Sequence, residues 1–74
     1  MLPGQRFRLR AGTLGVDEGS GQRRTMVTLP AGSVLRVCAG GQAGPDMVEV
    51  EWDGKRILMF AVDIEQRGES IEDG

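Results

Sequence analysis

Apolar and polar residues alternate along much of this chain, which is the pattern of β-strands that bury one face. In residues 5–11, three apolar positions, of which Phe7 is the first, alternate with three arginines. Two further segments, 25–29 and 33–39, are rich in β-branched and apolar residues and are separated by a proline-glycine turn. No segment has the period of an amphipathic helix, so the sequence predicts an all-β fold.

The strongest local signal is a hairpin centred on Asp53-Gly54, a dipeptide suited to a two-residue type I′ turn. Residues 47–52 and 55–61 flank this turn, which places Trp52 opposite Lys55. Followed outward, the same register puts four apolar residues on one face of the hairpin: Val48, Val50, Ile57 and Met59. We expect this face to lie against the core.

The second face of the hairpin is also apolar at three positions: Met47, Leu58 and Phe60. A strand that is apolar on both faces is covered on both. The cover is either the chain's own bent strand or long loop, another copy of the chain, or a hydrophobic ligand or partner. Because so short a chain buries a limited share of its surface, our working hypothesis is an interface between copies through these three residues.

The remaining segments predict loops and a flexible end. Residues 12–24 carry four glycines and predict a long loop or a flexible hairpin, and residues 40–46 predict another loop. Residues 62–66 are too few for a packed helix and predict a single 3₁₀ turn. Residues 67–74 form an acidic tail that we expect to be flexible. The predicted domain is therefore residues 1–66.

Five short strands in so small a chain favour a barrel, because closure removes the exposed edges of a sheet. Residues 4–12, with a glycine at each end, resemble the opening strand of the SH3-like barrels. Residues 47–65 resemble their closing hairpin and 3₁₀ turn. The resemblance implies an all-β, five-stranded SH3-like barrel with a short 3₁₀ turn near the C-terminus.

Both segments are also similar to the plasmid-encoded, trimethoprim-insensitive dihydrofolate reductases, in which four barrels surround a pore lined by a Val-Gln-Ile-Tyr run. The corresponding run here is Ile57-Leu58-Met59-Phe60. The family's ligand-holding glutamine falls at Leu58, its tyrosine at Phe60 and its phosphate-binding lysine at Leu9. Apolar side chains cannot hold the polar groups that these residues bind. The resemblance therefore implies the fold without the reductase activity.

The 74 residues include no His, no Tyr, one Lys and one Cys. This composition excludes a Ser-His-Asp triad, a Cys-His pair and a Cys/His zinc site within one chain. Cys38 lies in an apolar strand with no base beside it, which predicts an inert buried thiol. No apolar run is long enough to cross a membrane. We therefore expect a cytoplasmic, non-catalytic protein that binds no cofactor or metal and does not contact a membrane.

The charges are unevenly distributed around a net charge of -2. Residues 1–36 carry six arginines against two acids, and residues 37–74 carry three basic residues against nine acids. Arg6, Arg8 and Arg10 form an arginine row on one face of the first strand, a candidate contact for nucleic acid or other anions. A charged edge strand, or a partner for the acidic half, explains the row more simply.

Trp52, beside the Asp-Gly turn, is a candidate rim for a ligand. Proline-rich peptide sites and methyl-lysine cages each need several aromatic side chains. The chain has three aromatic residues in all, so packing over the core is the simpler role for Trp52. The sequence as a whole predicts a self-associating interaction or ligand-binding module. The alternatives are a nucleic-acid-binding barrel that uses the arginine row and an oligomeric enzyme with a shared pore.

Overall fold

The computed structural model describes residues 1–19, 24–42 and 44–71. As the sequence predicts, the structure is mainly β, with a single short helix in these residues. The elements in chain order are β1 (Arg6–Leu9), β2 (Thr13–Asp17), β3 (Thr25–Leu29), β4 (Val34–Gln42), β5 (Met47–Trp52), β6 (Lys55–Phe60), α1 (Ala61–Arg67) and β7 (Gly68–Ile71).

All seven strands belong to one antiparallel sheet, in the order β3-β2-β6-β5-β4-β1-β7. The sheet is open, and β3 and β7 are its two edges. The predicted five-stranded barrel is therefore wrong in the number of strands and in its closure. The two additional strands are β2, in the segment predicted as a loop or flexible hairpin, and β7, in the segment predicted as a tail.

The sheet curls around a single hydrophobic core. Alternate residues of the strands supply this core, so the intervening residues lie on the opposite side of the sheet, which we call the outer face. The core joins residues from five strands and the helix: Phe7, Leu9, Leu29, Leu35, Val37, Val48, Val50, Ile57, Met59 and Ile64. The predicted inward face of the β5–β6 hairpin is thus confirmed, since all four of its apolar residues are buried.

The β5–β6 hairpin has the register that the Asp-Gly turn predicts. Trp52 pairs with Lys55, and the pairing continues without a shift to Met47 opposite Phe60. Asp53 and Gly54 both have positive φ, at 53° and 74°. A type I′ turn requires positive φ at both central residues, so the turn and the register are consistent with each other.

β2 completes a hairpin with β3 and also pairs with β6. Gly15 in the middle of β2 allows this close approach. A Cβ atom at that position would overlap Ile57 Cγ2 and would lie 3.1 Å from Leu29 Cδ1. Gly15 therefore makes this segment resemble a loop in the sequence, and it also allows β2 to pack closely against β6.

The predicted 3₁₀ turn at residues 62–66 is wrong, because an α-helix occupies Ala61–Arg67. Two turns of helix are marginal in isolation. Ile64 is fully buried in the core, Asp63 lies in the first turn and Arg67 in the last, an arrangement that complements the helix dipole. Ile64, with Ala61 packed beside the core, therefore stabilises a helix that is too short to show a helical period in the sequence.

The segment predicted as a flexible tail contains β7. Gly68–Ile71 pairs with β1 along its whole length, with Arg6 opposite Ile71 and Leu9 opposite Gly68. The Gly68 N–H also donates a hydrogen bond to the Ile64 carbonyl, which joins β7 to the end of α1. The sheet therefore extends beyond the predicted boundary at residue 66. Residues 72–74 of the predicted tail lie outside the described residues.

Candidate functional site

The outer face of the sheet carries a contiguous group of apolar side chains. Leu58 of β6 pairs with Val16 of β2, which in turn pairs with Met26 of β3, so these three residues form a row across three strands. Leu14 lies two residues before Val16 in β2, and Phe60 lies two residues after Leu58 in β6. Because the two strands are antiparallel, Leu14 and Phe60 lie at the same level of the sheet. We call the whole group the outer apolar patch; it comprises Leu14, Val16, Met26, Met47, Leu58 and Phe60.

Three members of the outer apolar patch are largely open to solvent. The exposed fractions are 62% for Met26, 54% for Leu14 and 51% for Phe60. Together these side chains leave on the order of 300 Å² of apolar surface in water, in the range of the largest, often functional, patch on a monomer. Scattered single apolar residues need no explanation, but a contiguous group of large ones marks this face as a candidate binding surface.

The structure brings together the three residues that the sequence predicts as an interface. Phe60 is exposed, whereas Met47 and Leu58 are partly buried between their neighbours. β2 pairs beside β6 in the sheet instead of lying over its outer face. Within the described residues, the chain therefore leaves Phe60 open, and the alternative of an internal cover is not realised there.

Sequence reasoning missed half of the outer apolar patch. Leu14 and Val16 fall in the segment predicted as a loop or flexible hairpin. Met26 falls in a predicted strand, but the sequence does not indicate on which face of that strand it lies. The available signal was the alternation of Thr13, Leu14, Gly15 and Val16. Because glycine contributes no side chain, this alternation is too weak to distinguish a strand from a turn.

The other end of the outer face is charged. Arg36 of β4 pairs with Glu51 of β5, which pairs with Arg56 of β6. Arg56 Nη1 also lies 3.8 Å from Glu49 Oε1. The Arg56 side chain is largely exposed, so this ion pair contributes little to stability. These charged residues lie between the outer apolar patch and the β1 end of the sheet.

The arginine row is divided among different surroundings. Arg6 is partly buried, with Arg36 on one side and Ile71 on the other. Arg8 is exposed and lies opposite Glu69 of β7. Arg10 follows the end of β1 and donates a hydrogen bond from Nη2 to the Gln66 carbonyl at 3.1 Å. Within this row, Arg8 is thus the arginine that lies opposite an acidic residue, and Arg10 joins the end of β1 to the end of α1.

Cys38 lies on the outer face of β4, partly buried, and its side chain is hydrogen-bonded to Glu49. Burial raises the pKa of the thiol, and the negative charge of Glu49 raises it further. A raised pKa keeps the sulfur protonated at neutral pH, where the thiol is a poor nucleophile. These surroundings suit a structural thiol rather than a reactive one.

Trp52 is partly buried and packs against the core from the end of the hairpin. Together with Asp53 it lines a shallow depression that the turn before β4 closes on the other side, at Pro30 to Val34. Trp52 is the sole aromatic residue among those that line this depression. The predicted ligand rim therefore borders a broad depression with one aromatic side chain. Trp52 chiefly covers the core.

Two classes of site are absent from the part of the chain that the structure describes. No three His, Cys, Asp or Glu side chains there approach one another closely enough to hold a metal ion. The helix in these residues is also too short to cross a bilayer.

Comparisons of the chain with protein-family models, with curated proteins and with solved structures found no match. The resemblance to the dihydrofolate reductase barrels therefore stays a prediction, and the function has to be argued from the outer face itself.

Proposed function

We propose that the protein is a non-catalytic interaction module that associates with copies of itself through the outer apolar patch. The observation that carries this proposal is the exposure of Phe60, Leu14 and Met26 side by side on one face of the sheet. Removing this surface from water is favourable, and no covalent chemistry is required of the chain. The charged end of the same face supplies a polar rim of the kind that borders interfaces.

A second copy suits this face in size and chemistry. If two copies bury their patches against each other, the apolar surface removed contributes on the order of 15 kcal/mol. Association costs roughly 4–15 kcal/mol in lost translational and rotational freedom. The patch is thus large enough to drive association but has little to spare, and we expect a concentration-dependent equilibrium between the monomer and an assembly.

The test replaces Phe60 with glutamate and measures molar mass by analytical ultracentrifugation over a range of concentrations. We expect the wild type to rise above its chain mass of 8.0 kDa as concentration increases, and Phe60→Glu to remain at that mass. A glutamate at position 60 would be buried without a partner in the interface, whereas in the monomer it stays in solvent.

Val34→Glu provides the matched control. Val34 is also an exposed apolar residue of the outer face, at 40%, but it lies opposite Arg8 at the β1 end of the sheet. The Val34→Glu variant should therefore associate like the wild type. A wild type that stays monomeric at every concentration, or a Phe60→Glu variant that still associates, would contradict the proposal.

A further inference from the structure

The two edges of the sheet differ in the features that keep strands from pairing with other chains. β7 is short, begins with Gly68 and carries Glu69 opposite Arg8. β3 contains no charged residue and no proline, and pairs with β2 at all five of its positions without a bulge. Charges, prolines, bulges and short length are the usual protections of an edge strand. Both strands are short, so charge is what distinguishes the two edges: β7 carries Glu69, and the five residues of β3 include neither a charged residue nor a proline.

The free side of β3 is accessible along the strand. Thr25, Met26 and Thr28 are exposed, and no strand among residues 1–19, 24–42 and 44–71 pairs with β3 other than β2. An edge strand of this kind presents a row of backbone N–H and C=O groups to solvent, which is a template for a further strand.

We infer that the free edge of β3 pairs with β3 of a second copy, antiparallel and about a two-fold axis at Val27. In this register Thr25 lies opposite Leu29 of the second copy. Met26 lies opposite Thr28 of the second copy. The pairing brings no charges together because β3 carries none, and a two-fold contact uses the same hydrogen bonds twice. A second copy is thus a self-complementary occupant of this edge.

This inference rests on the proposed function and doubles the apolar surface that one contact between outer faces can bury. Pairing at β3 extends one sheet across two copies with their outer faces on the same side, so the patches are buried when two such pairs meet face to face. Met26, at the margin of the patch in one copy, then lies near the middle of a doubled patch. A stable interface buries about 800 Å² per partner, whereas one patch exposes on the order of 300 Å² of apolar surface. The doubled patch comes close to the required size.

The test is the variant Thr25→Lys. Thr25 lies on the same side of the sheet as Leu29, away from the outer apolar patch, so the substitution acts on the edge and spares the patch. In the folded chain Thr25 pairs with Asp17, which accommodates a lysine. In the paired edges, the lysine would meet a buried leucine and lose its solvent. The matched control is Ser70→Lys, which places the same charge on the exposed strand of the other edge.

Two measurements on the full chain read out the pairing. Sedimentation should show that Thr25→Lys shifts the midpoint of association at least tenfold to higher concentration, while Ser70→Lys stays within twofold of the wild type. Backbone amide exchange in the wild type should slow in β3, and not in β7, as concentration rises. Association that Ser70→Lys weakens equally would overturn the inference in favour of a β3–β7 contact.

The outcomes separate this inference from the proposed function. If Phe60→Glu disperses the assembly while Thr25→Lys leaves it intact and β3 amides exchange at the monomer rate, the patch interface stands and the edge pairing fails. If Thr25→Lys disperses the assembly while Phe60→Glu leaves it intact, the edge pairing stands and the patch interface fails. A wild type that never associates would overturn both.

Discussion

Cys38 and Glu49 show how one residue's surroundings set its chemistry. The thiol is partly buried, and the carboxylate beside it both accepts its hydrogen bond and repels a developing thiolate. Arg56 acts in the opposite direction, because its positive charge favours the thiolate and lowers the pKa. The sequence predicts an inert thiol from the absence of a base. The structure supplies a second reason, a carboxylate one strand away.

The predicted consequence concerns the pH at which Cys38 reacts. Alkylation by iodoacetamide should rise with pH through a midpoint above that of an exposed cysteine, since burial and Glu49 raise the pKa. Glu49→Gln should move this midpoint to lower pH, and Arg56→Gln should move it to higher pH. Rates measured by mass spectrometry from pH 7 to pH 11 distinguish these directions; identical profiles for the two variants would contradict the explanation.

The raised pKa of Cys38 also determines how its contribution to stability changes with pH. Because folding raises the pKa of Cys38, the contribution of the protonated thiol to stability is complete below the thiol's unfolded pKa. It is lost as the pH rises through the folded pKa. We therefore associate Cys38 with a loss of stability at alkaline pH.

At the scale of elements, α1 and β7 form one unit that is joined to β1 and to the residues after it. The Arg10 N–H donates to the Arg67 carbonyl at 2.6 Å, and Arg67 Nη1 donates to the Gly12 carbonyl at 3.3 Å. β7 continues this contact along β1. The last turn of the helix and the first strand are thus joined by backbone and side-chain hydrogen bonds.

A chain truncated after Arg67 should lose much of this connection. Removal of β7 exposes the edge of β1 and removes the Gly68 N–H from the end of α1, so we expect the free energy of unfolding to fall by about 2–4 kcal/mol. Urea unfolding monitored through Trp52 fluorescence measures the change. A chain that ends at Ile71, and so keeps all of β7, is the control, and equal stability of the two would contradict a structural role for β7.

The elements that the sequence predicts are those with strong local signals. Asp53-Gly54 determines the turn, and the register of β5 and β6 follows from it residue by residue. The alternation that includes Phe7 predicts β1, and Phe7 and Leu9 are buried as expected, but the strand ends at Leu9 and the third apolar position, Ala11, is exposed. Where backbone geometry and side-chain pattern agree, local sequence is sufficient.

The missed elements depend on contacts that are distant in sequence. Gly15 interrupts the alternation of side chains in β2, and its lack of a side chain is what lets β2 approach Ile57 of β6. α1 buries a single residue, Ile64, so its sequence has no helical period to detect. β7 has only Ile71 as an apolar residue and is held by pairing with β1. Leu14 and Val16 of the outer apolar patch are missed for the same reason, because they lie in β2.

On the scale of the whole molecule, the basic first half and the acidic second half of the chain meet in the sheet. Arg8 lies opposite Glu69, and Arg36 lies opposite Glu51. These two cross-strand pairs join the halves, whereas the Arg24–Glu18 and Arg56–Glu49 ion pairs each lie within one half. Arg8 and Arg36 thus have acidic residues of the other half as neighbours within the sheet.

Nucleic-acid binding through the arginine row should accordingly be absent at physiological salt. The net charge of -2 opposes approach to a phosphate backbone, and Arg8 and Arg10 already lie beside acidic or carbonyl groups. Fluorescence anisotropy with labelled single-stranded and double-stranded oligonucleotides measures this. Binding that weakens steeply with salt and is lost in Arg8→Gln would contradict the expectation and revive the alternative function.

The pairing of the first strand with the last bears on how the protein is made. β1 is synthesised before β7, one of its two neighbours in the sheet, and the other five strands lie between them in the chain. Contacts between such distant segments slow folding, since a long loop must close before they form. A nascent chain therefore holds an incomplete sheet until β7 has emerged from the exit tunnel and can pair with β1.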